Sequence, residues 1–232
     1  MIKIGGLQKL TLIDYPGKLS CTAFLIGCNF RCPWCYSKEL VLPEEIKKQP
    51  KISERVFFNF LKKRKKFLEG VVLGGGEPTI HKDLPDFIKK IKKMGYQVKL
   101  DTNGSNPKMI KHLIDNSLVD YIAMDVKAPK EKYNEAVGIE VDIRKIQESI
   151  NLLKEEKVDY EFRTTLVPKL LTKEDIVNIA KWLKGAKIYY LQQFRPEKTI
   201  DPNYEKYKPF GQEESKMMQK ECNRYLVTKL RN

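Results

Sequence analysis

The chain is short of histidine and cysteine, with two of the first and five of the second in 232 residues, and each shortage excludes something. His81 and His112 are the only imidazoles. Both lie far along the sequence from the clustered cysteines, so a zinc site built from three thiolates and one histidine lacks a nearby fourth ligand. An odd cysteine count without a secretory leader argues against a disulfide framework and for a reducing compartment. Met1-Ile2-Lys3-Ile4 is not a cationic leader ahead of an apolar core. The longest apolar run, near Ala23 to Ile26, is far too short to cross a bilayer. The expectation is a cytoplasmic protein with no membrane association. Pro/Gly/Ser-rich linkers are absent too, so one domain over residues 1–232 is expected.

Acidic residues are scarce relative to basic ones: 44 Lys plus Arg face 30 Asp plus Glu, a formal charge of +14. Such a balance raises the question of a nucleic-acid partner. The distribution answers against it. Lysines cluster in Leu61-Lys62-Lys63-Arg64-Lys65-Lys66 and Ile88-Lys89-Lys90-Ile91-Lys92-Lys93, where the apolar residues suit a helix face against a core and the lysines suit water. No aromatic-rich basic run suited to stacking bases accompanies them. A positive surface of this kind could steer an acidic protein partner.

What the chain does have is a concentrated cysteine loop, Cys28-Asn29-Phe30-Arg31-Cys32-Pro33-Trp34-Cys35, directly after a strand-like run. A cubane four-iron cluster takes one thiolate per iron, so three cysteines leave one iron open to a ligand from outside the protein. Structural zinc sites more often use two ligand pairs separated by a loop. Cys21 and Cys222 read as buried small hydrophobes in a strand and a helix, and they are too scattered to hold a second cluster.

Apolar, β-branched runs alternate with helical patterns throughout, as in a parallel sheet with crossover helices. The runs are Lys18 to Gly27, Gly70 to Gly75, Gln97 to Asn103, Tyr121 to Ala128, Asp159 to Val167 and Lys187 to Phe194. Leu84, Phe87, Ile88, Ile91 and Met94 follow helical spacing, with Gly95 as a stop; Asn106-Pro107 opens another helix, and Thr172 with Asp175 forms a capping box for a third. Six such units predict an α/β fold, a partial (β/α)6 barrel with parallel strands. Ligands bind at the carboxyl ends of such strands. There the chain places the cysteine loop, Gly74-Gly75-Gly76-Glu77-Pro78, Asp101-Thr102-Asn103-Gly104, Asp125-Val126-Lys127 and Gln192-Gln193-Phe194-Arg195.

The glycine-rich segment lacks the spacing of a phosphate loop, and an acidic residue follows it where a phosphate would want a cation. Its backbone or Glu77 could instead accept from an ammonium group. Asp101 and Asp125 end adjacent strands and could share a cation, bind a ribose or cap their strands. Lys127 falls on the same strand face as Asp125. Arg163, within the fifth run, should meet a carboxylate if buried.

These residues give the chain a resemblance to the radical S-adenosylmethionine enzymes, through the C-x3-C-x2-C loop. Ile13-Asp14-Tyr15-Pro16-Gly17-Lys18, the Gly75–Pro78 loop, Asp101–Gly104 and Asp125–Lys127 together are similar to the glycyl-radical-activating subgroup, and the opening is most similar to activators of anaerobic ribonucleotide reductase. The resemblance implies a radical S-adenosylmethionine core in which Cys28, Cys32 and Cys35 hold one [4Fe-4S] cluster whose open iron takes the amino and carboxylate groups of S-adenosylmethionine. It implies that Trp34 and Tyr36 flank this cofactor, that Gly75, Gly76 and Glu77 meet its ammonium end, and that Asp125, Val126 and Lys127 contact other polar groups. A monovalent cation near Asp101 and Asp125 is implied as well. The activity implied is that of an oxidoreductase: reductive cleavage to a 5'-deoxyadenosyl radical, which abstracts hydrogen from a glycine of a glycyl-radical enzyme, with electrons from a reduced ferredoxin or flavodoxin-type donor. Two departures stand out. Tyr36-Ser37 follows the third cysteine where many activases have histidine, and Arg195 is the best match to a histidine near the end of the last strand in pyruvate formate-lyase activators. The competing readings are a small-molecule radical enzyme such as 7-carboxy-7-deazaguanine synthase, and a zinc or nucleic-acid-binding module.

Overall fold

The computed structural model describes residues 2–231, so Met1 and Asn232, the ends of the span expected to form one domain, lie outside the described residues. In chain order the elements are β1 (Ile4–Thr11), β2 (Ser20–Leu25), α1 (Lys38–Val41), α2 (Pro43–Lys48), α3 (Glu54–Arg64), β3 (Gly70–Gly75), α4 (Leu84–Lys93), β4 (Gln97–Thr102), α5 (Pro107–Asp115), β5 (Tyr121–Asp125), α6 (Tyr133–Val137), α7 (Ile143–Lys154), β6 (Asp159–Leu166), α8 (Lys173–Trp182), β7 (Tyr189–Gln193), α9 (Gln212–Cys222) and β8 (Thr228–Arg231). All eight strands form one sheet in sequence order. The six apolar runs become β2 to β7, each parallel to the next, and the sheet is open: a partial barrel.

Two strands add to the six read from sequence. β1 pairs antiparallel with β2, because the connection from Leu12 to Leu19 is too short for the crossover of a dozen or more residues that a parallel partner needs. β8 joins β7 in parallel, although Thr-Lys-Leu-Arg carries no apolar run.

Alternation along the strands separates two chemistries. Val71, Leu73, Val98, Leu100, Ile122 and Met124 point outward and are fully buried against the apolar stripes of the helices. Those stripes include Phe57 and Leu61 of α3, and Leu84, Phe87, Ile88 and Ile91 of α4, with Gly95 in the left-handed region just past the helix end. The helix starts follow their sequence signals: the Asn106 side chain accepts from Met109 N–H, and Thr172 with Asp175 makes the reciprocal capping box. The opposite face of the strands is polar. It carries Thr22, Lys99, Asp101, Asp125, Glu161 and Arg163, and Gly74 lacks a side chain where Asp101 packs. Cys21 and Cys222 are buried in β2 and α9. No helix among the described residues is long and apolar enough to cross a membrane.

Candidate active site

The cysteine loop leaves β2 at Gly27, whose φ of 102° only glycine adopts freely. Its first half is closed by Arg31, whose Nη1 donates to the carbonyls of Cys28 and Phe30, both at 2.7 Å. Its second half is a turn in which Cys35 N–H donates to Cys32 C=O at 3.0 Å. All three thiols are free of disulfides; Cys32 is buried, Cys28 and Cys35 partly so. Burial pushes the thiols up, Cys28 to about 11 and Cys32 to about 12, while the Lys127 ammonium pulls all three the other way. Without an electrophile they are neutral thiols. Iron bound there would hold them as thiolates, as metals do with coordinated sulfur.

The Gly74–Pro78 segment lies directly beneath. Gly76 N–H donates to Leu25 C=O at 2.9 Å and Glu77 N–H to Gly27 C=O at 2.7 Å, which ties this loop to the residue before Cys28. A Cβ on Gly76 would fall 2.0 Å from Gly27 O, so the close approach that this glycine permits is to the protein's own backbone. The placement of Glu77 corrects the expectation for its side chain. Its carboxylate is fully buried and accepts from Thr79 N at 3.0 Å, Thr79 Oγ1 at 2.5 Å, Thr102 Oγ1 at 2.7 Å and Asn103 N at 2.6 Å. Burial raises its pKa against those four donors. Glu77 therefore binds the end of β3 to the end of β4 and presents no oxygen to the rim.

Across β4, β5 and β6 the charged side chains form one alternating chain. Lys99 pairs with Asp101 Oδ1, Arg163 Nη1 with Asp101 Oδ2 at 3.1 Å, Arg163 Nε with Asp125 Oδ1 at 2.7 Å, and Lys127 Nζ with Asp125 Oδ2 at 2.9 Å. All four carboxylate oxygens are thus bonded to cationic side chains. Burial alone would raise both aspartates, yet Arg163, with Lys99 at Asp101 and Lys127 at Asp125, outweighs it and holds both below the ordinary carboxylate range. Burial would lower Lys127, but the Asp125 carboxylate, through its charge and its hydrogen bond, outweighs that and holds it well above the ordinary lysine range. Three cations and two anions leave this rim with a net positive charge. Arg163 meets the carboxylates expected of it. A separate monovalent cation between Asp101 and Asp125 fits poorly, because Arg163 already occupies that position electrostatically.

The remaining expected residues divide. Trp34 turns inward, 5% exposed, with Nε1 donating to Ala136 C=O at 2.9 Å and Lys127 Nζ 5.2 Å above its ring. Tyr36 stays on the rim, 50% exposed, with its hydroxyl in the field of Arg195 and Asp125. Arg195 is exposed. Val126 faces away, fully buried, and its backbone is bonded on both sides to β6, N–H to Arg163 C=O at 2.8 Å and C=O to Thr164 Oγ1 at 2.6 Å. Two supports of the cysteine loop were not read from sequence. One is α6, through Ala136 and Val137. The other is the segment after β7, where Ile200 N–H donates to Cys35 C=O at 3.0 Å and Asp201 N–H to Pro33 C=O at 2.8 Å. Both supports act through backbone atoms of the supporting segments, which carry no sequence signature; the glycine at 138 is the available clue.

Three thiols on one buried loop beside a net positive rim fit an iron–sulfur cluster with a vacant iron. The donor set is distributed: no three His, Cys, Asp or Glu side chains among the described residues gather around a single-ion position. A cubane needs no such gathering, since each thiolate binds its own iron. The comparisons agree. Residues 23–183 match the Radical SAM superfamily. A Methanocaldococcus jannaschii protein provisionally named a glycyl-radical enzyme activating enzyme is 37% identical over 96% of this chain and 92% of its own length. The 7-carboxy-7-deazaguanine synthase of Thermococcus kodakarensis is 26% identical over 83% of this chain and 79% of its own. Among solved structures, a domain of pyruvate-formate lyase-activating enzyme from Bacteroides vulgatus superposes with a TM-score of 0.57 at 17% identity, over 70% of this chain and 99% of that one. Streptococcus suis SuiB bound to S-adenosylmethionine gives 0.68 at 12% identity, over 89% of this chain and 48% of that one. The chain belongs to the radical S-adenosylmethionine superfamily.

Proposed function

We propose that the protein is a single-domain, cytoplasmic glycyl-radical enzyme activating enzyme, an oxidoreductase that abstracts hydrogen from a backbone glycine of a partner protein, with anaerobic ribonucleotide reductase as the leading partner. The observation that carries this reading is the 37% identity, over nearly the whole of both chains, to a relative named for that activity. A second observation supports a protein partner. The turn after β1 sends Asp14 and Tyr15 onto the polar inner face, where Thr22 Oγ1 donates to Asp14 Oδ2 at 2.6 Å and Tyr15 packs on Gly70 and 6.0 Å from Tyr121. The same turn leaves Leu12 and Ile13 69% and 74% exposed, beside exposed Leu10 and Leu19. This apolar tip lies at the amino ends of the parallel strands, away from the cysteine loop, and suits a surface contact with a protein partner outside the cofactor opening.

In this reading Cys28, Cys32 and Cys35 hold a [4Fe-4S] cluster. When bound, the cluster supplies the electron that cleaves S-adenosylmethionine, and a reduced ferredoxin or flavodoxin-type protein replaces it. The chain's own residues bind, orient and shield. The net positive rim of Lys99, Arg163 and Lys127 attracts the cofactor's carboxylate. Lys127 is fixed by Asp125 and stays protonated, so it offers a donor rather than a base. Tyr36, together with the backbone at Gly75, borders the same opening, while Glu77, Val126 and Trp34 act behind it by fixing loops. The built-in guanidinium removes the need for a separate monovalent cation.

The reading is tested by incubating the reduced, cluster-loaded protein with S-adenosylmethionine and the encoded glycyl-radical enzymes, then recording electron paramagnetic resonance. A glycyl doublet with one partner is expected. Turnover of a small molecule such as a deazaguanine precursor, with no glycyl signal from any partner, would defeat the activase assignment.

A further inference from the structure

We propose that the end of α6, closed by Gly138, is a clamp that sets the geometry of the cysteine loop, and that Gly138 is its positioning residue. The last-turn carbonyls of a helix have no partner within the helix. Here the cysteine loop uses two of them: Arg31 N–H donates to Val137 C=O at 2.8 Å, and Trp34 Nε1–H donates to Ala136 C=O at 2.9 Å. One bond falls before Cys32 and the other after it, so the helix end spans the middle cysteine. Gly138 allows this for two independent reasons. It ends the helix in the left-handed conformation, with φ 69° and its N–H on Asn134 C=O. A Cβ there would also lie 2.3 Å from Arg31 O and 3.0 Å from Arg31 C, backbone atoms of the cysteine loop that cannot swing aside as a flexible side chain could. Replacing Gly138 must push the loop off the helix end or unwind the helix end from the loop.

The position of the clamp gives it a function beyond packing. The stretch from Asp125 and Lys127 through buried Ala128 to α6 is continuous, so the strand end that carries the cofactor-facing charges also carries the clamp. Ile200 and Asp201 hold the Cys32–Cys35 turn through Cys35 C=O and Pro33 C=O. The loop is therefore fixed by hydrogen bonds to two segments, one of which follows directly in the chain from the Asp125–Lys127 pair. The inference depends on the cluster at Cys28, Cys32 and Cys35, not on the identity of the protein substrate. A missing glycyl signal with every partner would leave it standing.

Gly185 supplies a matched control, because it too has positive φ, 86°, but nothing lies within 4 Å of the Cβ position. Gly138→Ala and Gly185→Ala therefore share the left-handed strain, and only Gly138→Ala adds a contact with Arg31. Both proteins would be reconstituted anaerobically, assayed for iron and sulfide, and examined by electron paramagnetic resonance of the dithionite-reduced cluster with and without S-adenosylmethionine. Gly138→Ala should lose at least half of the cluster or lose the spectral change that S-adenosylmethionine produces, whereas Gly185→Ala should match wild type in both. Equal cluster content and equal spectra in the two variants would overturn the proposal. Should Gly138→Ala fail to fold, Trp34→Phe decides instead: it keeps a ring but removes the donor to Ala136 C=O. A shifted spectrum supports the clamp, and an unchanged one with full iron content overturns it.

Discussion

Replacing Arg163 with methionine removes the guanidinium that joins Asp101 to Asp125 while keeping a long side chain in its place. Arg163 is 8% exposed, and both aspartates are 25% exposed at the side chain. Removing one partner of a buried ion pair costs about 3–5 kcal/mol, because the remaining charge loses its compensation. Each aspartate keeps one lysine, so the lower end applies, about 3 kcal/mol. For a chain of this size each kcal/mol moves the melting temperature by about 2–4 °C, so the variant should melt about 6–12 °C lower at pH 7. A surface ion pair would give under about 1 kcal/mol, which makes the two cases separable. The sign with pH follows from the depressed aspartates. Their stabilisation is fully present above the unfolded carboxylate value of about 3.9 and is lost as pH falls through the folded values. In the variant the aspartates move back toward ordinary values. The gap between wild type and variant should therefore be widest at neutral pH and shrink below about pH 4. Thermal unfolding of anaerobically handled protein at pH 7 and pH 3.5 measures both. A shift under about 2 °C at pH 7, or a gap that does not change with pH, would refute the claim that Arg163 is the electrostatic centre of the rim. Arg163→Lys should recover little, since one ammonium cannot reach both carboxylates as Nε and Nη1 do.

Other substitutions follow from the same geometry. Cys28→Ser, Cys32→Ser and Cys35→Ser should each lose the iron retained by wild type after reconstitution, whereas Cys21→Ser should keep it and pay about 1–3 kcal/mol for a hydroxyl in an apolar place, measured by metal analysis and melting. Gly76→Ala puts a methyl 2.0 Å from Gly27 O and should lower both stability and cluster content, beyond the roughly 1–2 kcal/mol that left-handed strain costs in Gly185→Ala. Arg231→Ala leaves the fully buried Glu161, held by Arg231 Nη1 at 2.5 Å and Nη2 at 2.9 Å, with only the Tyr121 hydroxyl as a hydrogen-bond donor, and should cost about 3 kcal/mol in chemical denaturation. If β8 instead contributes nothing to the inner face, that cost falls below about 1 kcal/mol.

Much of the architecture was legible because its signals are local. Six β-branched runs with helical spacing between them dictate parallel strands, and caps such as Asn106 and Thr172 act within a single turn. β1 and β8 were not legible, since one is identified by the shortness of the chain that follows it and the other by an edge that only the assembled sheet offers. Site residues divided along the same line. Arg163 could be expected to meet a carboxylate from the cost of burying it alone, but the choice of two aspartates on two different strands depends on strand register. Glu77 shows the opposite case. Its place after three glycines suggests a ligand contact, yet the neighbouring Thr79 caps its carboxylate locally, and Thr102 and Asn103 consume the rest from positions that sequence proximity does not reveal.

The cysteine spacing by itself determined that this chain can hold an iron–sulfur cluster with one open iron, because the number of thiolates and their closeness in sequence are properties of the loop alone. Tertiary structure decided what surrounds that cluster: α6 and the segment after β7 hold the loop, and Lys99, Asp101, Arg163, Asp125 and Lys127 join into one charged chain. The physical reason is reach. A thiolate ligand set can form within eight residues of flexible backbone, whereas pairing charges on three strands and placing a helix end against a loop require the sheet to be built first.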